Sequence, residues 1–312
     1  MPSDSASVKP LRRVVTGSRL HFGPLNWPGP KHDRPDFGGL GLMVDAPATI
    51  ATAWLPGGPA EGETAFLRDA MLVSSVPRVT IDAAAPRHVG LGSGTQRRLA
   101  VAAACGLIGS PERMAATTGR GVRSAIGVHG FCRGGLILDG GRPDGEPLGR
   151  LTGRADVPEH WAIWLVRLTD RTGIFGEAER TAFAALPAMP ASTHRDLRRL
   201  ADETLDAAAA DDSFAFAALV TQYGVLVGDF FAAAQGGRFA DPEWGTLMRP
   251  LGDLGYGVAQ SSWGPTVAVI GPPDRAEEVD AILAARSPHE VLRTRPMNGP
   301  ATIVDHPDGS DA

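Results

Sequence analysis

Residues 86–94 read Pro-Arg-His-Val-Gly-Leu-Gly-Ser-Gly and run straight into 95–108, an alanine-rich stretch closed by Gly109. A glycine-rich loop that opens a helix gathers several backbone N–H groups around one concavity, at the positive end of the helix dipole. Glycine suits such a loop because backbone must come close to the ligand and positive φ costs it nothing. The loop therefore predicts a phosphate or pyrophosphate site, with Gly90, Gly92, Ser93, Gly94, Thr95 and Gln96 at its mouth. The alternative is a glycine turn packed tightly against a neighbouring strand. Two familiar phosphate motifs do not fit. Gly90, Gly92 and Gly94 alternate, unlike the dinucleotide fingerprint, and no acidic residue suits the ribose position. No lysine follows the loop, as a P-loop would require.

Lysine is scarce throughout. Of 30 basic residues only Lys9 and Lys31 are lysines, one in a polar arm and one in a Pro/Gly-rich loop. A Schiff-base cofactor needs a buried lysine, so pyridoxal phosphate is excluded. The formal charge of −5 supplies no global basic field, so nucleic acid is not an expected partner. Any polyanionic ligand must be met by local arginines or backbone amides. Cys105 and Cys132 are isolated, which indicates neither a disulfide framework nor a zinc knuckle. The first ten residues lack the apolar core of a signal peptide. The apolar stretches 214–220 and 225–234 are interrupted by Tyr223, Gly224 and Asp229, so no membrane span is expected. The expectation is a cytoplasmic protein whose partners are small molecules, with no membrane.

A length of 312 residues with 43% hydrophobic residues suffices for two domains with sizeable cores. Residues 1–10 are expected to form a disordered arm. Strands are expected at 11–25, 38–52 and 77–83, with a broken loop over 27–35 and a short helix over 63–75. Helices follow at 95–108 and 111–117, then a glycine-rich segment, 119–130, and a strand at 135–139. The Gly/Pro-rich stretch 140–153 marks the expected boundary, giving domains over 11–153 and 154–312. The second half predicts a strand at 161–168, helices at 192–210, 213–235 and before Gly255, a loop entering a strand over 257–270, a helix at 275–284 and a final strand at 290–294. This mixed order argues an α+β fold in two layered domains.

The loop at 86–94 resembles the second motif, PxxxGLGSS, of the GHMP superfamily of small-molecule kinases, and Gly257-Val-Ala-Gln-Ser-Ser-Trp-Gly-Pro-Thr266 stands where that superfamily has its third, glycine-rich motif. Three runs narrow the match: Thr16–Gly23 with Phe37–Met43, Gly119–Phe131, and the Gln-Ser-Ser-Trp-Gly-Pro-Thr run itself. Together they are similar to the β-ribofuranosylaminobenzene 5′-phosphate synthase family, over roughly residues 11–305. The resemblance implies a two-domain GHMP fold: an N-terminal ribosomal-protein-S5-domain-2-like α/β layer and a C-terminal α+β ferredoxin-like domain. It implies a glycosyl transfer in which 5-phosphoribosyl 1-pyrophosphate condenses with 4-aminobenzoate. Pyrophosphate and carbon dioxide are lost, on the way to tetrahydromethanopterin and one-carbon metabolism. It also implies Mg²⁺, carried mainly by the donor's own phosphates, and a homodimer as the common assembly. Two departures from the kinase pattern agree. The second serine after Gly-Leu-Gly-Ser is Gly94, and where kinases carry a catalytic aspartate, near Gly127, no acidic residue lies between Arg123 and Arg133.

Such chemistry needs a held pyrophosphate, a shielded ribosyl cation and an oriented benzoate. Arg19 and His21, two apart on a strand, project from one face. The arginine can grip a carboxylate or phosphate, and the imidazole can protonate a leaving oxygen or ring carbon, with a rate that titrates in the imidazole range. The plainer alternative is a surface arginine beside a core histidine. Arg120 and Arg123 either clamp phosphate or are simply solvated. His129 is either catalytic or buried and hydrogen-bonded. Gln260, Ser261 and Ser262 are placed at a second phosphate, and Trp263 either stacks on the aromatic acceptor or packs. The other histidines show no metal spacing, so no dedicated zinc or iron site is expected. An ATP-dependent kinase for a small alcohol, and a catalytically silent binding protein, are the two competing readings.

Overall fold

Two long strands, β1 (Lys9–Gly23) and β2 (Gly39–Gly58), form the antiparallel pair on which the rest is laid. The computed structural model describes residues 9–27, 37–68, 75–170, 172–173 and 176–306. Outside the described residues lie residues 1–8 of the expected arm, most of the 27–35 loop with Lys31, and the later part of the expected 63–75 helix, whose start shows a 3₁₀ turn at Gly62–Thr64 and helix again at 67–68. Lys9 and Pro10, assigned to the arm, already belong to β1. The early half of β2 pairs with β4 (Leu136–Asp139) and its late half with β3 (Val76–Ala83). Strand β5 (Leu151–Ala155) extends the sheet beyond β4, and β10 (Thr302–Asp305) closes its other side along β1. The second sheet is antiparallel in the order β7 (Gly257–Gln260), β8 (Val267–Gly271), β6 (Ala162–Arg167), β9 (Glu290–Thr294).

Several expectations are corrected here. The division at 153/154 falls inside β5, and β10 returns the C-terminal end to the first sheet, so both ends of the chain build that layer. The segment 257–270 is a hairpin of two strands, not a loop entering one. The alanine-rich helix α1 runs Ser93–Ala104, and α2 (Pro111–Thr118) follows. The glycine-rich stretch after it contains a helix, α3 (Ile126–Arg133). Its glycines serve contact: a Cβ on Gly130 would lie 2.4 Å from the Met43 sulfur. Helix α4 (Gly176–Ala185) was not anticipated, whereas α5 (Ala191–Ala209), α7 (Trp244–Asp253) and α8 (Ala276–Ala284) match their expected places within a few residues.

Helix α6 (Ser213–Gln235) corrects the membrane argument as well. Its 23 residues run unbroken through Tyr223, Gly224 and Asp229, and it is long and apolar enough, by length and composition, to cross a bilayer. In this fold it has a different use. Phe216, Val220, Tyr223, Val227 and Phe231, three or four residues apart, are buried. Each such side chain contributes about 1.5–3 kcal/mol of burial. The Tyr223 hydroxyl donates to the Gly23 carbonyl at 2.9 Å, and the Thr221 hydroxyl accepts the Val258 N–H at 2.9 Å. The helix thus ties β1 to β7 and sets the two sheets around one central core.

Candidate active site

Burial on β1 alternates in the way that exposes a site. Leu20 and Phe22 are driven into the core, so Arg19 and His21 face the other way, into a cavity of about 520 Å³. The glycine loop forms the facing wall and is stitched down by backbone. The Arg19 N–H donates to the Leu91 carbonyl at 3.0 Å, and the Thr266 N–H to the Val89 carbonyl at 3.3 Å. Gly90 (φ 90°) passes so close to the 261–266 turn that a Cβ would lie 2.4 Å from the Ser261 carbonyl oxygen. Gly92 (φ 68°) is the left-handed residue from which α1 starts, and no side chain caps that start. Those helix-start amides lie beside the cavity lining formed by Gly92, Ser93, Gly94 and Thr95, at the end of a helix where an anion is stabilised.

The cavity gathers Arg19, His21, Arg120, Arg123, Gly90, Gly92, Ser93, Gly94, Thr95, Ser262 and Trp263 in one lining. Four expected residues lie outside it. Gln96 is fully buried; its amide oxygen accepts the Thr16 hydroxyl and its nitrogen donates to the Gly127 carbonyl, both at 2.9 Å, so it joins α1 to β1 and α3. His129 is turned inward with Nε2 2.8 Å from the Gly149 carbonyl. Ser261 is fully buried and braces the loop. Gln260 spans the turn: it accepts the Ala240 N–H at 2.6 Å and donates to the Ser262 carbonyl at 3.0 Å. Asp45 is also structural, accepting the Thr294 hydroxyl at 2.8 Å and the Arg295 N–H at 3.0 Å.

Charge and polarity divide the cavity. At one side Trp263 and Phe231 stack at 4.7 Å between centroids, Trp27 meets Phe231 edge-on at 5.6 Å, and Phe37 meets Trp27 at 5.4 Å. The polar side holds Arg19, Arg87, Arg120 and Arg123, and no carboxylate lines the cavity among the described residues. His21 lines the same cavity, its Nε2 2.8 Å from where a Cβ on Gly39 would be. Burial, then the guanidinium groups of Arg19 and Arg123, hold its imidazole well below the ordinary value. His21 is thus held neutral through the range where a free imidazole would titrate. Among the described residues no group of three or more His, Cys, Asp or Glu side chains could hold a metal.

Sequence reasoning missed Arg87, Trp27, Phe37 and Phe231 as cavity residues. Arg87 lay inside the glycine motif in plain view. Asp139 was missed as support: buried behind the site, its carboxylate accepts the Ala125 N–H at 2.7 Å and the Gly141 N–H at 3.0 Å, fixing the start of α3 just after Arg123. Burial raises its pKa.

No protein-family model matches the chain. Over 287 residues it is 30% identical to the beta-ribofuranosylphenol 5'-phosphate synthase of Archaeoglobus fulgidus, an alignment covering 83% of this chain and 88% of the relative. The chain belongs to the beta-ribofuranosylphenol 5'-phosphate synthase family. A synthase of the same name from Methanothermobacter thermautotrophicus is 27% identical over 246 residues, covering 72% of this chain and 73% of the relative. Among solved structures, mevalonate diphosphate decarboxylase from Staphylococcus aureus superposes with a TM-score of 0.64 at 12% identity, covering 96% of this chain and 99% of that one. Homoserine kinase from Cytophaga hutchinsonii gives 0.61 at 11%, covering 97% and 100%. These likenesses show the α+β GHMP fold expected for this synthase family, and nothing about the reaction.

Proposed function

We propose that the cavity transfers the phosphoribosyl group of 5-phosphoribosyl 1-pyrophosphate to a para-substituted benzoate, 4-aminobenzoate or its 4-hydroxy counterpart. One observation carries this reading. A single cavity joins four arginines, suited to phosphates, to a cluster of four aromatic rings, suited to a benzoate. The names of the curated relatives specify a ribofuranosylphenol product, which supports the hydroxy acceptor; the sequence motifs support the transfer with either.

The chemistry then follows from the residues. The ring carbon bearing the carboxylate attacks C1 of the ribose while the bond from C1 to the pyrophosphate oxygen breaks. The bond to the carboxylate then breaks, its electrons restore the aromatic ring, and carbon dioxide leaves. No proton is removed from the ring carbon, which suits a cavity in which no carboxylate base lines the wall among the described residues. Arg19, Arg123 and the amides at the start of α1 stabilise the departing charge; such preformed dipoles are usually the largest catalytic contribution. The aromatic walls exclude water from the ribosyl cation. Mg²⁺ belongs to the donor's phosphates in this scheme, because no carboxylate lines the cavity among the described residues. The reaction supplies a precursor of tetrahydromethanopterin, and the free thiols of Cys105 and Cys132 fit a cytoplasmic setting.

The test is incubation of the protein with phosphoribosyl pyrophosphate and each carboxyl-labelled benzoate. Equal release of labelled carbon dioxide and pyrophosphate supports the proposal, and the preferred benzoate names the acceptor. ATP-dependent phosphorylation of an alcohol, with no release of carbon dioxide, would instead establish the kinase reading that the fold also accommodates.

A further inference from the structure

Arg87, Arg98 and Arg120 form a second cluster of positive charge, separate from Arg19 and Arg123, the two arginines whose charge bears on His21. Arg87 and Arg120 line the cavity. Arg120 Nη2 stands 3.7 Å from where a Cβ on Gly94 would lie. Arg98 is held beside them: Nη1 donates to the Thr118 carbonyl at 3.0 Å, and the guanidinium lies 4.8 Å over the Phe66 ring. Their countercharge is thin. Glu63, 3.4 Å from Arg87, also takes Arg97 at 2.5 Å, so one carboxylate serves two guanidinium groups. Arg120 has no ion-pair partner among the described residues, and its Nε is buried without a hydrogen bond. Gathering like charges around a partly buried guanidinium costs free energy that a bound anion returns.

This group is distinct from the one around His21. Arg19 approaches the loop at Gly92, with Nε 3.1 Å from the Cβ position there, whereas Arg120 approaches at Gly94. The His21 imidazole, which feels the charge of Arg19 and Arg123, lies 2.8 Å from the Cβ position of Gly39, two residues along the chain from Phe37 of the aromatic side. A leaving group bonded to C1 must lie near the acceptor, so the inner group suits the pyrophosphate. The monoester sits across the ribose ring from C1 and needs a second, outer anchor. We propose that Arg87 and Arg120, with Arg98 adding positive charge behind Arg120, form a second anion subsite that takes the phosphate monoester of the phosphoribosyl donor. The subsite rests on the phosphoribosyl reading above and makes the donor a ligand gripped at both ends.

Calorimetric titration of the full-length protein with ribose 5-phosphate and with pyrophosphate, as separate probes, tests it. Arg120→Ala should weaken ribose 5-phosphate roughly ten- to hundred-fold and pyrophosphate less than about threefold, the loss expected for one charge-assisted contact. Arg19→Ala should show the reverse order. Arg87→Ala removes a largely exposed side chain, so it keeps the test open should Arg120→Ala fold poorly, and it should weaken the same probe. Equal weakening of both probes by Arg120→Ala, or unchanged ribose 5-phosphate affinity in both outer variants, overturns the second subsite and leaves the phosphoribosyl reading standing. A wild-type protein that binds neither probe nor phosphoribosyl pyrophosphate overturns that reading and the subsite together.

Discussion

The Ser261 hydroxyl donates to the Gly90 carbonyl at 2.7 Å, and its oxygen also accepts the backbone N–H of His21 at 3.0 Å. One buried side chain therefore sets the spacing between the glycine loop and the strand that carries His21. Ser261→Ala leaves a carbonyl and an N–H unpaired in the interior, at about 1–3 kcal/mol for each unsatisfied group. Chemical denaturation should show a loss of about 2–6 kcal/mol for the two groups together, accompanied by weaker pyrophosphate binding. Wild-type stability together with wild-type affinity would mean that the loop is held by something else.

Gly90 and Gly92 should respond differently to the same added methyl group. At Gly90 the methyl meets a backbone oxygen at 2.4 Å, which cannot move without displacing the 261–266 turn. At Gly92 it meets the Arg19 side chain at 3.1 Å, which can shift. Both carry the left-handed strain of about 1–3 kcal/mol. Gly90→Ala should lose more stability, and Gly92→Ala should retain its fold while losing donor affinity. Thermal melts with calorimetry of pyrophosphate decide between them; equal melting temperatures and equal affinities would count against the close approach at Gly90.

The depressed pKa of His21 fixes the sign of a pH effect. As pH falls through the unfolded value of about 6.5, the unfolded chain takes up a proton that the native imidazole refuses. Stability should therefore decline below that pH, and the decline should level off once the lower native value is passed. His21→Gln removes this component and leaves others, such as the raised pKa of Asp139, in place. The wild-type protein should lose more stability than the variant between neutral and mildly acid pH. Parallel curves would show that His21 titrates normally. Pyrophosphate, by bringing negative charge to the imidazole, should be bound with proton uptake, read from its heat in buffers of different ionisation enthalpy.

Lys9 begins β1 and is exposed, while Lys31 lies outside the described residues, in a Pro/Gly-rich stretch of sequence. The double variant Lys9→Ala/Lys31→Ala should retain turnover, and the purified protein should lack the visible absorbance of pyridoxal phosphate. Turnover abolished by this pair in a protein that still folds would reopen lysine chemistry.

What the sequence disclosed and what it hid follow from the range of the forces involved. Gly90 and Gly92 were legible because a positive φ at a helix start is a local demand. Arg19 and His21 were legible because Leu20 and Phe22 force the alternation. Gln96 and His129 sit in the same motifs, yet their partners, Thr16 and Gly127 for one and Gly149 for the other, are distant in sequence, so nothing local marked them as satisfied. The aromatic side comes from separate stretches of chain that meet only after α6 docks on β1. Strand β10 is short and mostly exposed, and its pairing with β1 had no signal of its own.

The sharpest prediction concerns the two side chains on β1. Arg19 borders the loop at Gly92, where its role is to hold an anionic group. Losing one charge-assisted contact of about 1.5–3 kcal/mol weakens binding roughly ten- to hundred-fold. Arg19→Ala should therefore mainly raise the KM for one substrate. Burial, together with the charges of Arg19 and Arg123, holds His21 neutral, and the donor's negative charge favours its protonation. A positioned proton donor contributes on the order of a hundred-fold or more to the chemical step, so His21→Ala should mainly lower kcat, and its residual rate should lose the acid-side pH dependence of the wild type. Steady-state kinetics with donor and acceptor varied in turn separate the two effects. If both variants keep near-normal kcat and KM for both substrates, this face of β1 is structural and the chemistry lies elsewhere in the cavity.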